Sequence, residues 1–271
     1  DASSTNPAIS CTGLSAEAAC PTIESGLLLA QNNDSVLMQP GLYSGDGNEG
    51  LVFGNSSESI IGVKISGNSN STSNSDVRIV CSQQTRFLTS FNNFFSLISD
   101  FKVENCYSST EFGANILNVG GGAIEIVRSS GISVSNVMFV NNTARYGGAL
   151  LIQDSSSVLI SDCTFDSNVA VYWGGAVKTF ESGVTITSSF FTNNMCDGAL
   201  VDDPFFNVNT ENVGGGGAVH ANQGSSISVF SSHFIRNSAR VMAGAFCVST
   251  MGSSTFLGNV FDSNTVAGGE N

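Results

Sequence analysis

Two short signals recur together along this chain, and their spacing constrains what it can fold into more than any other feature. Gly121-Gly122-Ala123-Ile124 returns as Gly147-Gly148-Ala149-Leu150, Gly174-Gly175-Ala176-Val177 and Gly216-Gly217-Ala218-Val219. A degenerate copy is Ala243-Gly244-Ala245-Phe246, and Gly268-Gly269 begins another. Within each unit a Phe-x-x-Asn follows: Phe139 with Asn142, Phe165 with Asn168, Phe191 with Asn194, Phe234 with Asn237 and Phe261 with Asn264. The period, about 26 residues, lies in the range that marks stacked repeats. Between the signals lie alternating runs such as Ile132-Ser-Val134, Val158-Leu-Ile160, Val184-Thr-Ile186 and Ile227-Ser-Val229, the period-two pattern of half-buried strands. A unit of two or three short strands cannot bury its apolar side alone, so it must stack on copies of itself. The predicted fold is all-β: a single right-handed parallel β-helix, a solenoid with an N-terminal helical cap.

Stacking turns equivalent positions into columns. The Phe column belongs inside, as do Ile124, Leu150, Val177, Val219, Phe246 and, two residues on, Ile126, Ile152, Thr179, Ala221, Val248. By alternation, the residues between them (Glu125, Leu151, Lys178, His220, Cys247) are expected to face mostly outward. The glycines permit a tight corner, and each Asn can take a left-handed turn while bonding to its neighbours in the column. Both motifs read as structural, so function must be sought elsewhere.

The expected organisation is a cap over residues 1–34, with a helix from roughly Pro21 to Gln31 covering the edge of the first coil, then a β-helix over 35–271. Phe191 and Phe234 are further apart than one period, so a loop insertion is placed near 196–215, carrying Asp197, Asp202 and Asp203. Because the sequence stops just after a new Gly-Gly, either a longer protein continues it or its last coil docks on a partner.

Only 11% of residues are charged, and the net charge of −13 comes from few basic residues rather than acidic blocks. Such a surface repels nucleic acid and anionic lipid, and no apolar run approaches bilayer-spanning length. Cys11 and Cys20 bracket a short loop, while Cys81 and Cys106 lie close to one period apart, on neighbouring coils; these four are the disulfide candidates. If they pair, Cys163, Cys196 and Cys247 cannot all be bridged within the chain. Asn33, Asn55, Asn70 and Asn141 head glycosylation sequons. Disulfides and glycans both point to an extracellular or cell-surface location.

The repeated Gly-Gly-Ala-(Ile/Leu/Val) and Phe-x-x-Asn within one coil, over about residues 95–271, resemble the repeats of chlamydial polymorphic outer membrane proteins. Upstream, Gln39-Pro40-Gly41-Leu42-Tyr43 is similar to the opening coil of pectin-lyase-like β-helices. The resemblance implies secretion, surface exposure and adhesion or assembly. That family's membrane barrel is not expected here, since no C-terminal series of alternating amphipathic strands follows the repeats.

The rival reading is a polysaccharide lyase or hydrolase of the same fold. Its chemistry needs carboxylates with a basic group, or Ca²⁺, on an outer strand face. The candidate catalytic groups are Lys178 and His220 on adjacent coils, roofed by Asp197, Asp202 and Asp203. His220 and His233 have no metal-ligand spacing, no paired Cys-x-x-Cys occurs, and Gly214–Gly217 lacks the ending of a phosphate loop. Asp46-Gly-Asn-Glu-Gly50 has some of a Ca²⁺ loop's oxygens but no distal Glu and reads as a turn, so no cofactor is required. The preferred expectation is a structural or adhesive surface module. Its partner is another protein or another copy docked on the open C-terminal coil, with glycans as further partners.

Overall fold

The computed structural model describes residues 19–54, 59–68, 76–82, 85–108, 120–198, 214–222, 224–249 and 253–267. Every strand pairing in it is parallel, and the coils wind as a right-handed β-helix. One full coil shows the plan. Leu150–Gln153 leads to Val158–Ser161, then Thr164–Asp166, then Val169–Trp173, and the Gly-Gly corner begins the next turn. That is four strands where two or three are expected. The connections are shorter than the sequence suggests because single residues in the left-handed region, Asp162 and Ser167 at φ 54° and 57°, turn the corners.

Stacked coils build the sheets. Among the described residues, the strand after each Gly-Gly corner joins a seven-stranded sheet running from Leu51–Phe53 to Phe246–Ser249. The strand before the corner joins a five-stranded sheet: Thr143–Tyr146, Val169–Trp173, Met195–Cys196, Ser238–Ala239 and Thr265–Val266. The two intervening faces merge into one 14-stranded sheet, because Leu97–Glu104 and Ser133–Val140 run unbroken around the corner between them.

Inside the tube, Phe139, Phe165, Phe191 and Phe234 are fully buried. Their successive centroids lie 4.8, 4.6 and 4.7 Å apart with nearly parallel planes, each pair adding about 0.5–1.5 kcal/mol beyond burial. The Asn column is a hydrogen-bonded ladder. The Asn168 backbone N–H and Nδ2 both donate to Asn194 Oδ1 at 3.0 Å, and Nδ2 also donates to the Phe139 carbonyl at 3.0 Å. Asn194 repeats this toward Asn237 and Phe165. A second ladder, unforeseen from the sequence, links the backbone N–H of Ser129, Ser155 and Ser182 to the hydroxyls of Ser155, Ser182 and Ser225. Each corner thus hands its otherwise orphaned N–H to the next coil.

At the N-terminal end the helix spans Ile23–Leu29, shorter than expected at both ends. Thr22 and Ser25 form a capping box, which places Pro21 outside, and Ala30 leaves in extended conformation. Ile23 is buried against the first coils, with Leu27 and Ala30 packed beside it. Cys81 and Cys106 are bonded across neighbouring coils, with Cα atoms 4.7 Å apart. Cys20 is disulfide-bonded, and Cys11 lies outside the described residues. Cys163, Cys196 and Cys247 are free and buried. Among the described residues, no helix is long and apolar enough to cross a membrane.

Candidate functional site

Alternation does send Glu125, Leu151, Lys178, His220 and Cys247 away from the ring stack, yet all five are buried. Lys178 is 4% exposed and His220 1%, which corrects the expectation of an outward, solvated column. The cause is the Gly-Gly corner. A Cβ at Gly147, where φ is 58°, would lie 1.9 Å from the Leu150 carbonyl oxygen, and one at Gly148 would lie 2.2 Å from the Gly175 carbonyl oxygen on the next coil. Glycine takes this tight reversal without strain, and on the last coil Ala243 adopts the same left-handed corner at φ 55°. The reversal brings the end of the five-stranded sheet over the outer face of the seven-stranded one. The Trp173 ring lies 4.5 Å from the His220 ring, and the buried Cys196 lies close enough to Lys178 to influence its charge.

The covered column is not repetitive, so each polar residue finds its own partner. Arg86 forms an ion pair with Glu125 and donates to Ser108 Oγ at 3.1 Å, while Gln153 Nε2 donates to Glu125 Oε1 at 2.9 Å. Two coils on, Lys178 stands opposite His220, and Phe180 stands opposite Asn222. Lys178 Nζ lies 2.6 Å from His220 Nδ1 and donates to Asn222 Oδ1 at 2.5 Å, while His220 Nε2 lies 3.2 Å from Ser249 Oγ. Glu125 to Gln153, Lys178 to Asn222 and His220 to Ser249 are the same diagonal, one coil across and two residues along. Long side chains on a sheet face span it.

Burial governs the electrostatics. Desolvation pushes the Glu125 carboxyl up despite Arg86 beside it. It pulls Lys178 down to about 7, which the neighbouring thiols Cys247 and Cys196 only partly oppose. It drives His220 down to about 2, with the charge of Lys178 adding to the effect, and it pushes the Cys196 thiol up to about 12. Among the described residues no carboxylate forms an ion pair with Lys178. The site therefore places a buried primary amine with an unusually accessible neutral form beside a buried imidazole and a part-buried carboxamide.

Several solved structures resemble the chain in fold. It is similar to the surface adhesin PfbA of Streptococcus pneumoniae, with a TM-score of 0.50 and 14% identity, covering 88% of this chain and 57% of the adhesin. It is also similar to a pectin methylesterase in complex with a hexasaccharide, with a TM-score of 0.39 and 11% identity, covering 80% of this chain and 64% of that one. For pectate lyase Pel9A the TM-score is 0.39 and the identity 12%, covering 91% and 72%. No family model and no curated protein sequence matches the chain. At these identities the likeness speaks for the parallel β-helix fold and nothing finer, and the chain spans 57% of the adhesin's length.

Asp202 and Asp203, the expected roof over Lys178 and His220, lie outside the described residues, as do Asn55 and Asn70. Asn33 and Asn141 are exposed on left-handed turns, at φ 67° and 53°. In the Asp46–Gly50 turn, Asn48 Oδ1 accepts from the Ile23 N–H at 3.1 Å, and Glu49 Oε2 accepts from the Ser82 N–H at 2.6 Å. Among the described residues no group of three or more His, Cys, Asp or Glu is arranged to hold a metal ion. Arg86, Trp173 and Asn222 were not legible as members of this site. The available signal was a column whose residue type changes at every coil while its neighbours repeat.

Proposed function

We propose that this chain is an extracellular structural or adhesive β-helix module that works by taking a further coil, or the matching edge of another copy, onto its last described turn. The observation that carries this reading is the state of residues 253–266. Phe256, Phe261 and Val266, in register with the buried Val229, Phe234 and Ala239, are exposed, Phe261 at 50%, although its ring stacks on Phe234 at 4.9 Å like the interior rings above it. Asn259 and Asn264 accept backbone N–H groups from Ser232 and Asn237 at 2.9 Å, as interior rungs do. This turn has the chemistry of a coil interior, and an exposed parallel strand edge of that kind is a template for pairing. The disulfide, the exposed sequons at Asn33 and Asn141 and the resemblance to surface proteins support an extracellular setting. Lys178 and His220 lie beneath Trp173 and the five-stranded sheet, a poor position from which to meet a polysaccharide chain.

Light scattering over a concentration series tests the proposal. Association is expected, and Phe261→Asp, which places a charge on the open ring stack, is expected to abolish it. A protein that remains monomeric throughout and binds no cell or glycan surface overturns the reading. So does cleavage of acidic glycans that is lost in Lys178→Ala.

A further inference from the structure

We propose that Lys178 and Asn222 become joined by an intramolecular amide bond, a covalent staple between adjacent coils. The inference is independent of the assembly reading and rests on the diagonal pairing of the covered face. Lys178 Nζ is 2.5 Å from Asn222 Oδ1 and 2.6 Å from His220 Nδ1, so a buried nucleophile and a buried proton carrier meet a part-buried acyl group that carries a leaving group. Held groups of this kind react with effective concentrations far above any in solution.

The bond changes balance without an added reagent. The Lys178 Nζ lone pair attacks Asn222 Cγ once rotation about the Cβ–Cγ bond turns the carbonyl face, rather than the Oδ1 edge, toward Nζ. The proton released from Nζ passes to His220 Nδ1, and from there to Nδ2 as the Cγ–Nδ2 bond breaks and ammonia leaves. One C–N bond forms, one breaks, and no electrons are gained or lost. Burial disfavours a free imidazolium at His220, but attack places negative charge on Oδ1 beside it, which stabilises the imidazolium when it is needed. An Nε2–H donated to Ser249 Oγ leaves Nδ1 free to accept.

The equivalent diagonal elsewhere provides an internal control. Glu125 and Gln153 meet at 2.9 Å in the same arrangement, but a carboxylate paired with Arg86 is no amine, so no staple forms there. The location also has a purpose. Lys178 and its neighbour His220 are 42 residues apart because the insertion lies between them, whereas interior rungs such as Asn142 and Asn168 are 26 apart. A bond at this step ties the coil before the insertion to the coil after it, where the loop to be closed is longest.

Intact mass spectrometry of the denatured, reduced protein, followed by peptide mapping, is the test. The expected result is a deficit of one ammonia and a branched peptide containing both Lys178 and Asn222. Deficit and branch should both vanish in Lys178→Arg and in Asn222→Ala, and both should accumulate more slowly in His220→Ala. Full mass with two separate peptides overturns the proposal, as does a deficit confined to a cyclised Asn222 peptide. If either variant fails to fold, the wild-type mapping alone decides.

Discussion

The interior of the tube and one outer column of the seven-stranded sheet are both buried, yet they are built by opposite rules. Inside, one residue type recurs at each level: Phe upon Phe and Asn upon Asn, each rung satisfied by its own kind. Outside, Glu125, Leu151, Lys178, His220 and Cys247 succeed one another, and each polar member depends on a partner of different chemistry. Repetition makes a structure cooperative and interchangeable along its length. A buried column without repetition is costly unless every group is individually matched, and that is where chemistry specific to one level can arise.

This contrast can be broken most sharply at one residue on each face. Phe165→Ala should cost about 3–5 kcal/mol in urea unfolding, since it opens a cavity in a continuous ring stack. Arg86→Ala should cost a similar amount, about 3–5 kcal/mol, because it strands the fully buried Glu125. The double change Arg86→Met with Glu125→Leu should recover most of that loss, whereas no second substitution inside the tube should rescue Phe165→Ala.

Acid should sharpen the difference further. His220 has its folded pKa lowered from 6.5 to about 2, so between those values the unfolded chain binds the extra proton and stability falls as pH falls. The expected slope below pH 6.5 approaches about 1.4 kcal/mol per unit. His220→Phe should remove that component, leaving the part due to carboxylates, when denaturant midpoints are compared at pH 7 and pH 5.

Smaller effects follow where a face departs from its own rule. Thr179 lies in the inward apolar column with its buried hydroxyl unpaired, so Thr179→Val should stabilise by about 1 kcal/mol. At the open end, Phe261→Ala in dilute monomer should cost less than about 1 kcal/mol, since that ring is half exposed already. A large loss there would mean that the last coil is already covered.

How much of this was legible beforehand differs between the faces for the same reason. The Phe and Asn signals could be read because identical neighbours one period apart supply both the pattern and the contact. The Ser129, Ser155, Ser182 and Ser225 ladder could not, because Ser is common throughout the chain and a single Ser carries no periodic contrast. Arg86 is close to Glu125 through stacking rather than sequence, and Asn222 meets Lys178 only through the register restored after the insertion.

The sequence by itself determined the period, the parallel stacking, the identity of the inward columns and the direction in which Lys178 and His220 point. Those follow from alternation along a strand and repetition between coils, which are local rules. Only the tertiary structure decided that the outward column is covered. Its burial depends on the angle of the Gly-Gly corner, which lays Trp173 and Cys196 over the neighbouring sheet, and an angle between sheets leaves no periodic trace in the chain.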